Sequence, residues 1–225
     1  MKQILLAAIC IIETNCAVTA QESPTQKEMK EKRNFYFGLG VAANGDYKIN
    51  DKLNNSGLPD LSPTVPEISF GFNYMWTKTL MDIEVNSSYY RETKDATRII
   101  AMNAGVKVRV HYVPVNKEKF FVSGGLDVSY LTGEVSLYNK YNEVDLNDLN
   151  PLNYAGQIHL TNDMVYVGPS AAFGFLQDTN WPLRVNVGYE WNILNSKWGS
   201  EFADVNNTVK ESGHGRFYAK LILYL

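Results

Sequence analysis

From Asn34 to Leu225, apolar and polar residues alternate with a period of two in one stretch after another. That period belongs to extended strands with unlike faces, because successive side chains of a pleated chain point to opposite sides. Phe35, Phe37, Leu39 and Val41 alternate with Tyr36, Gly38, Gly40 and Ala42. Ile68, Phe70, Phe72, Tyr74 and Trp76 alternate with Ser69, Gly71 and Asn73, and Ile83, Val85 and Tyr89 with Asp82, Glu84, Asn86 and Ser88. A longer stretch sets Ile100, Met102, Val106, Val108, Val110 and Tyr112 against Asn103, Gly105, Lys107, Arg109 and His111. The fifth sets Phe120, Val122, Leu126, Val128 and Tyr130 against Phe121, Ser123, Gly125, Asp127 and Ser129. In the last three, Val165 to Phe175, Leu183 to Trp191 and Phe217 to Leu225 are apolar at odd positions, with Ser170, Arg184, Glu190 and Lys220 at even ones. Eight strands result, and no segment of helical period competes with them.

The connections predict how the strands are arranged. Long ones, near 43–67, 91–98, 131–163 and 194–215, alternate with short ones near 77–80, 113–119 and 176–182. Short turns at one end and long loops at the other are the mark of a transmembrane barrel. Orientation supplies a check that does not enter the strand count. With odd strands rising and even strands descending, outward Phe35, Phe37, Tyr74, Trp76, Tyr112, Phe120 and Phe175 gather at the lower rim. Tyr89, Tyr130, Trp191 and Phe217 gather at the upper. Two aromatic girdles are what a barrel in lipid requires, whereas a soluble β-sandwich has no reason to sort aromatics by depth. The expected fold is therefore all-β: an eight-stranded antiparallel transmembrane β-barrel with short periplasmic turns and long extracellular loops.

The inward face then carries charge, namely Asp82, Glu84, Asp127 and Glu190 with Lys107, Arg109, Arg184 and Lys220. Eight strands enclose only enough space for side chains to fill, and a charge confined there must be paired. The third hairpin puts Asp82 and Glu84 at the depth of Lys107 and Arg109, so these eight residues read as a structural plug. Equal numbers of each sign in a narrow bore argue against a selective channel. Inward glycines such as Gly71, Gly105, Gly168 and Gly188 either make room for long side chains or mark local curvature.

Composition changes the picture at the N-terminus and on partners. Lys2, the apolar run Ile4–Ile12 and Val18-Thr19-Ala20 before Gln21 have the order of a signal peptide cleaved after Ala20. The apolar run is too short to span a bilayer. Residues 1–20 are thus a leader, 21–33 a polar periplasmic tail and 34–225 the barrel. Both cysteines, Cys10 and Cys16, fall in the leader. With 21 Lys and Arg against 24 Asp and Glu, the chain lacks the basic footprint of a nucleic-acid protein.

Leader, alternating strands, connection lengths and mixed-charge lumen together resemble the small outer-membrane β-barrel families of OmpA/OmpX type. Within these the chain is similar to the outer membrane protein β-barrel domains of Bacteroidetes-type bacteria. The resemblance covers about residues 34–225 and rests on pattern, not on a unique motif. It implies residence in the bacterial outer membrane, outer-membrane lipid around the wall, and a C-terminal aromatic residue read by the barrel-assembly machinery. Here Tyr224 is followed by Leu225, a departure that bears on the register of the last strand.

Chemistry is sparse. His111 faces inward near Lys107 and Arg109, while His159 and His214 fall in long loops. Spacing places no histidine beside the inward serines Ser129 and Ser170, so no catalytic site is expected. The third long loop holds Glu134, Glu143, Asp145 and Asp148 with Asn142, Asn147 and Asn150, but lacks the glycine and glutamate of an EF-hand and reads as solvated surface. No cofactor is implied. The expected role is a monomer that is structural or binds a surface protein or glycan, adhesin-like, through its loops. A narrow pore, a lipid-modifying enzyme and an accessory barrel of a secretion system are the alternatives.

Overall fold

The computed structural model describes residues 32–76, 78–139, 141 and 157–225. The expected leader and most of the polar tail lie outside them. Eight long strands form the wall: β1 (Lys32–Asn44), β2 (Thr64–Met75), β3 (Thr79–Lys94), β4 (Thr97–Asn116), β5 (Phe120–Asn139), β6 (Gln157–Phe175), β7 (Leu183–Asn192) and β10 (Gly215–Tyr224). They close into an antiparallel barrel in the order β1-β10-β7-β6-β5-β4-β3-β2. Two short strands, β8 (Ser196–Lys197) and β9 (Lys210–Glu211), pair with each other in the connection from β7 to β10. The connection from β1 to β2 contains one helix, α1 (Ile49–Asn55).

Closure follows from the sequence pattern. An outward apolar row needs lipid and an inward polar row needs partners, and a closed sheet supplies both without leaving an edge. Phe35, Phe70, Val85, Val108 and Leu126 are exposed on the outside, while the alternate residues are buried.

β1 begins at Lys32, inside the expected 21–33 tail, β2 at Thr64, inside the expected 43–67 loop, and β4 runs on to Asn116, into the expected 113–119 turn. Two long loops differ more. Residues 91–98 do not form a long loop, because β3 and β4 stay paired up to Lys94 and Thr97, and the chain turns through Asp95, whose φ is 53°. Nor does a loop fill 131–163, since β5 and β6 remain paired as far as Tyr138 and Gln157. Both hairpins run on past the girdle, and in β5 and β6 the alternation does not stop there; it inverts. Below Tyr130 the inward residues of β5 are Asp127 and Ser129 and the outward ones Leu126 and Val128. Above it the inward residues are Leu131, Val135 and Leu137, all buried, and the outward ones are Thr132, Glu134 and Ser136. The wall is therefore lipid-adapted below the girdle and water-adapted above it. At about 3.3 Å per residue and a tilt near 40°, a strand as long as β4 or β5 rises roughly twice the ~25 Å apolar band of an outer-membrane barrel. The 20 residues of each thus suffice for both zones. β7 and β10, with 10 residues each, cover the lipid zone alone.

Candidate functional site

Inside the wall the lumen is built in three storeys. The floor, at the end of the short turns, is apolar: Tyr36, Ile222 and Tyr224 pack on one side, Leu80, Val113 and Phe121 on the other. Tyr224 turns inward, so Leu225 takes the exposed terminal position and its N–H donates to the Phe35 carbonyl at 2.9 Å.

The middle storey holds all eight charged residues of the plug, each buried. Register places Asp82 opposite Arg109 and Glu84 opposite Lys107. The first pair forms directly, with Arg109 Nη1 at 2.6 Å from Asp82 Oδ2. The second is exchanged across the bore: Glu84 pairs with Lys220, and Lys107 with Glu190 at 2.9 Å. Arg184 donates both Nη groups to Asp82, at 3.1 and 2.8 Å, and Asn73 donates to the same carboxylate at 2.8 Å. Asp127 is the hub. It accepts from Arg109 Nε at 3.1 Å and from the hydroxyls of Ser170 and Tyr218, with Lys107 at 3.5 Å. Lys107 Nζ also stands 3.5 Å over the Tyr218 ring, a cation–π placement that suits an ammonium withdrawn from water.

Sequence reasoning missed members of this network. Glu67 and Arg216 fall inside the 43–67 linker and just before the last predicted strand, yet both are buried and paired with each other. Lys220 bridges Glu67 to Glu84, and Arg216 reaches Glu190 at 3.6 Å. The lumen thus holds Glu67, Asp82, Glu84, Asp127 and Glu190 against Lys107, Arg109, Arg184, Arg216 and Lys220. The signal was present in the inward parity, carried one step past the assumed strand ends. The tyrosines Tyr36 and Tyr218 were also missed as polar partners. Each lies flat over an inward glycine, where a Cβ on Gly71 would stand 2.3 Å from the Tyr36 ring and one on Gly188 2.6 Å from the Tyr218 ring. At these two positions the glycine makes room for an aromatic whose hydroxyl then reaches Glu84 at 3.1 Å or Asp127.

His111 corrects one expectation. Strand pairing brings it beside Ser170, with Nε2 at 2.6 Å from that Oγ and Nδ1 at 2.9 Å from Ser123 Oγ. The order of groups is not that of a hydrolase. Ser170 donates its hydroxyl hydrogen bond to Asp127, so Nε2 donates to Ser170 and Nδ1 accepts from Ser123. An imidazole that already donates to the serine cannot take its proton, so the Ser-His-Asp order of a hydrolase is not formed here.

The upper storey is an apolar cap. The connections 45–63 and 193–214 fold inward, and Tyr47, Ile49, Leu53, Leu61 and Trp198 pack on Ile99, Leu131, Val135, Leu137, Met164 and Tyr166 of the tall wall. Glu211 ties the two connections together. Its carboxylate accepts from Lys48 N and Ile49 N, both at 3.0 Å, and from Trp198 Nε1 at 2.9 Å. The orphan N–H groups at the start of α1 thereby gain an anionic partner. His214 is wedged between the rings of Tyr47 and Tyr166, at 5.0 and 5.5 Å, with Nε2 at 2.6 Å from the Tyr166 hydroxyl. Burial lowers its pKa below the ordinary histidine value, Glu211 opposing and Lys48 reinforcing the shift. Burial pushes the Tyr47 phenol up to about 12. The space beside the cap amounts to about 20 Å³, room for a water and not for a ligand.

His159 is not in a loop but on the outward face of β6, bonded to Ser136 Oγ at 3.0 Å. Of the acidic loop, Glu134 belongs to β5 and the remaining named residues lie outside the described residues. Among the described residues no three His, Cys, Asp or Glu side chains gather as metal ligands. Girdle residues Trp76, Tyr89, Tyr112, Tyr130 and Trp191 are exposed on the outer wall, and Tyr74 and Phe175 are half-buried there. Tyr74 packs edge-on against Trp76 at 4.7 Å, as Tyr189 does against Trp191 at 4.9 Å.

No family model matches the chain, and no curated protein matches it in sequence. Its fold is that of small outer-membrane β-barrels. A major outer membrane protein from Thermus thermophilus superimposes with a TM-score of 0.51 at 9% identity, over 86% of this chain and 99% of that one. The attachment invasion locus protein Ail of Yersinia pestis, in complex with the heparin analogue sucrose octasulfate, gives 0.50 at 8% identity, over 87% and 99%. At such identities the likeness is one of fold alone.

Proposed function

We propose that the protein is a non-conducting scaffold of the bacterial outer membrane, exported by cleavage near Ala20 and inserted as a monomer by the barrel-assembly machinery. Its work is done outside the membrane, where the tall β3-β4 and β5-β6 hairpins and the cap meet a surface protein or glycan. The observation that carries this reading is the three-storey lumen. Ten charges pair with one another between an apolar floor and an apolar cap, an arrangement that favours a filled bore over a selective conducting one. Function then falls to the external segments that a rigid wall displays. Planar-bilayer recording tests it directly. The intact protein should insert without discrete conductance steps, and reproducible steps would restore the pore reading.

A further inference from the structure

The wall above the upper girdle is sorted by charge. On β5 and β6 the outward positions above Tyr130 carry Thr132, Glu134, Thr161 and Asp163. On β3 and β4 the outward positions above Tyr89 and Met102 carry Arg91 and Arg98, the only cations among the described outward wall positions of that zone. Arg91 is paired with Ile100 and Arg98 with Thr93, so the two arginines are diagonal neighbours on one face. Diagonal neighbours stand ~7–8 Å apart or less, within reach of one shared anion for two long side chains.

The site is preorganised on one side and open on the other. Arg98 is half-buried, its Nε donating to Thr93 Oγ1 at 3.3 Å and its guanidinium lying 5.7 Å over the Tyr138 ring. Neither contact uses its terminal Nη donors, which have no side-chain partner among the described residues. Arg91 is exposed and has no side-chain partner among the described residues. β3 loses its β2 neighbour above Ser88, so a headgroup can approach Arg91 from the side. Two positions below, Tyr89 and Met102 belong to the exposed lipid belt. Glu134 stands opposite Met102 on β5, while Glu92 and Asp95, the acids nearest in sequence to the two arginines, lie on the other face of β3 and in the hairpin turn.

We propose that Arg91 and Arg98 clamp the phosphate of an anionic lipid of the outer leaflet whose acyl chains lie along the belt below Tyr89. The inference rests on the outer-membrane reading and adds a headgroup to it. A planar guanidinium held on an aromatic face, with free paired N–H donors, matches a phosphate in geometry as well as charge. Position supplies the rest, since the clamp begins where the wall changes from lipid-adapted to water-adapted.

The purified full-length barrel, reconstituted with either phosphorylated lipid A or lipid A stripped of its phosphates, gives the test, with retained lipid per barrel read by native mass spectrometry. The wild-type protein should retain the phosphorylated form about tenfold better, the scale of a charge-assisted hydrogen-bond pair. The Arg91→Ala/Arg98→Ala variant should lose that preference while keeping its heat-modifiable gel mobility. Arg98→Lys should recover it only in part, because an ammonium neither forks nor stacks. A barrel that inserts and shifts on heating but shows no phosphate preference, or a double variant that keeps it, overturns the clamp alone. A protein that does not insert at all overturns both readings.

Discussion

Asp127 shows what a single residue carries in this lumen. It receives a guanidinium, two hydroxyls and, at 3.5 Å, an ammonium, and all of these donors are buried with it. Removing one partner of a buried ion pair costs about 3–5 kcal/mol, because the charge left behind is not resolvated. Asp127→Ala should lower the unfolding free energy of the vesicle-inserted barrel by that amount, read from the shift in its urea midpoint. Tyr218→Phe removes one hydroxyl from the same hub and should cost about 1–3 kcal/mol in the same assay. Gly188→Ala should cost as much by a different route, since the new Cβ meets the Tyr218 ring at 2.6 Å and overpacking of this kind costs about 1–3 kcal/mol. If Gly188→Ala proved neutral, the ring would be free to move and the hub looser than its geometry implies. The eight charges were legible from parity alone, and with them the Asp82–Arg109 pair across one hairpin, but the other partners were not. Register set Glu84 opposite Lys107, yet the bore is narrow enough for Lys220 to reach Glu84 from across it, and cross-barrel proximity leaves no trace in spacing along the chain.

At the scale of elements, the cap behaves as a unit hinged on two titratable residues. Glu211 is buried and holds three N–H donors from two connections. His214 fills the slot between Tyr47 and Tyr166 with a buried Nδ1 that has no hydrogen-bond partner. Because burial lowers the His214 pKa, the closed cap prefers the neutral ring. Above about pH 6.5 the open cap is neutral too, and closure has its full stability. As pH falls through that range the open cap takes up a proton that the closed cap refuses, so closure weakens toward the depressed value. Trypsin cleavage at Lys48 and Lys52, taken relative to an unstructured peptide control, should therefore speed up between about pH 7.5 and about pH 5, and His214→Phe should flatten the dependence. An unchanged pH profile in His214→Phe would move the effect to another group. Glu211→Ala should expose the same sites at every pH. This element was hidden from sequence reading for a physical reason. The 43–67 and 194–215 segments have no period, and Tyr47, Leu53, Leu61 and Trp198 form a core only because the tall wall offers them an apolar inner surface.

The barrel of the described residues is lipid-facing below its upper girdle and water-facing above it. A closed barrel that resists detergent should migrate differently boiled and unboiled, and loss of the shift in Asp127→Ala but not in Glu211→Ala would separate the stability of the wall from that of the cap. Much of this architecture was determined by the sequence itself. Period-two alternation set strands and faces, since it depends only on neighbouring residues, and the depth-sorting of Trp76, Tyr112, Tyr130 and Trp191 marks the two rims expected of a lipid zone. The charge of the lumen followed from the same parity. Tertiary structure alone decided where strands end, because pairing of β3 with β4 and of β5 with β6 continues past the point where the pattern inverts and a linear reading expects a loop. It alone decided that Ser170 meets His111, that Glu67 meets Arg216, and that two aperiodic connections close the bore. Each of these joins residues far apart in the chain, and distance across a closed sheet is set by barrel diameter and shear, which no local pattern encodes.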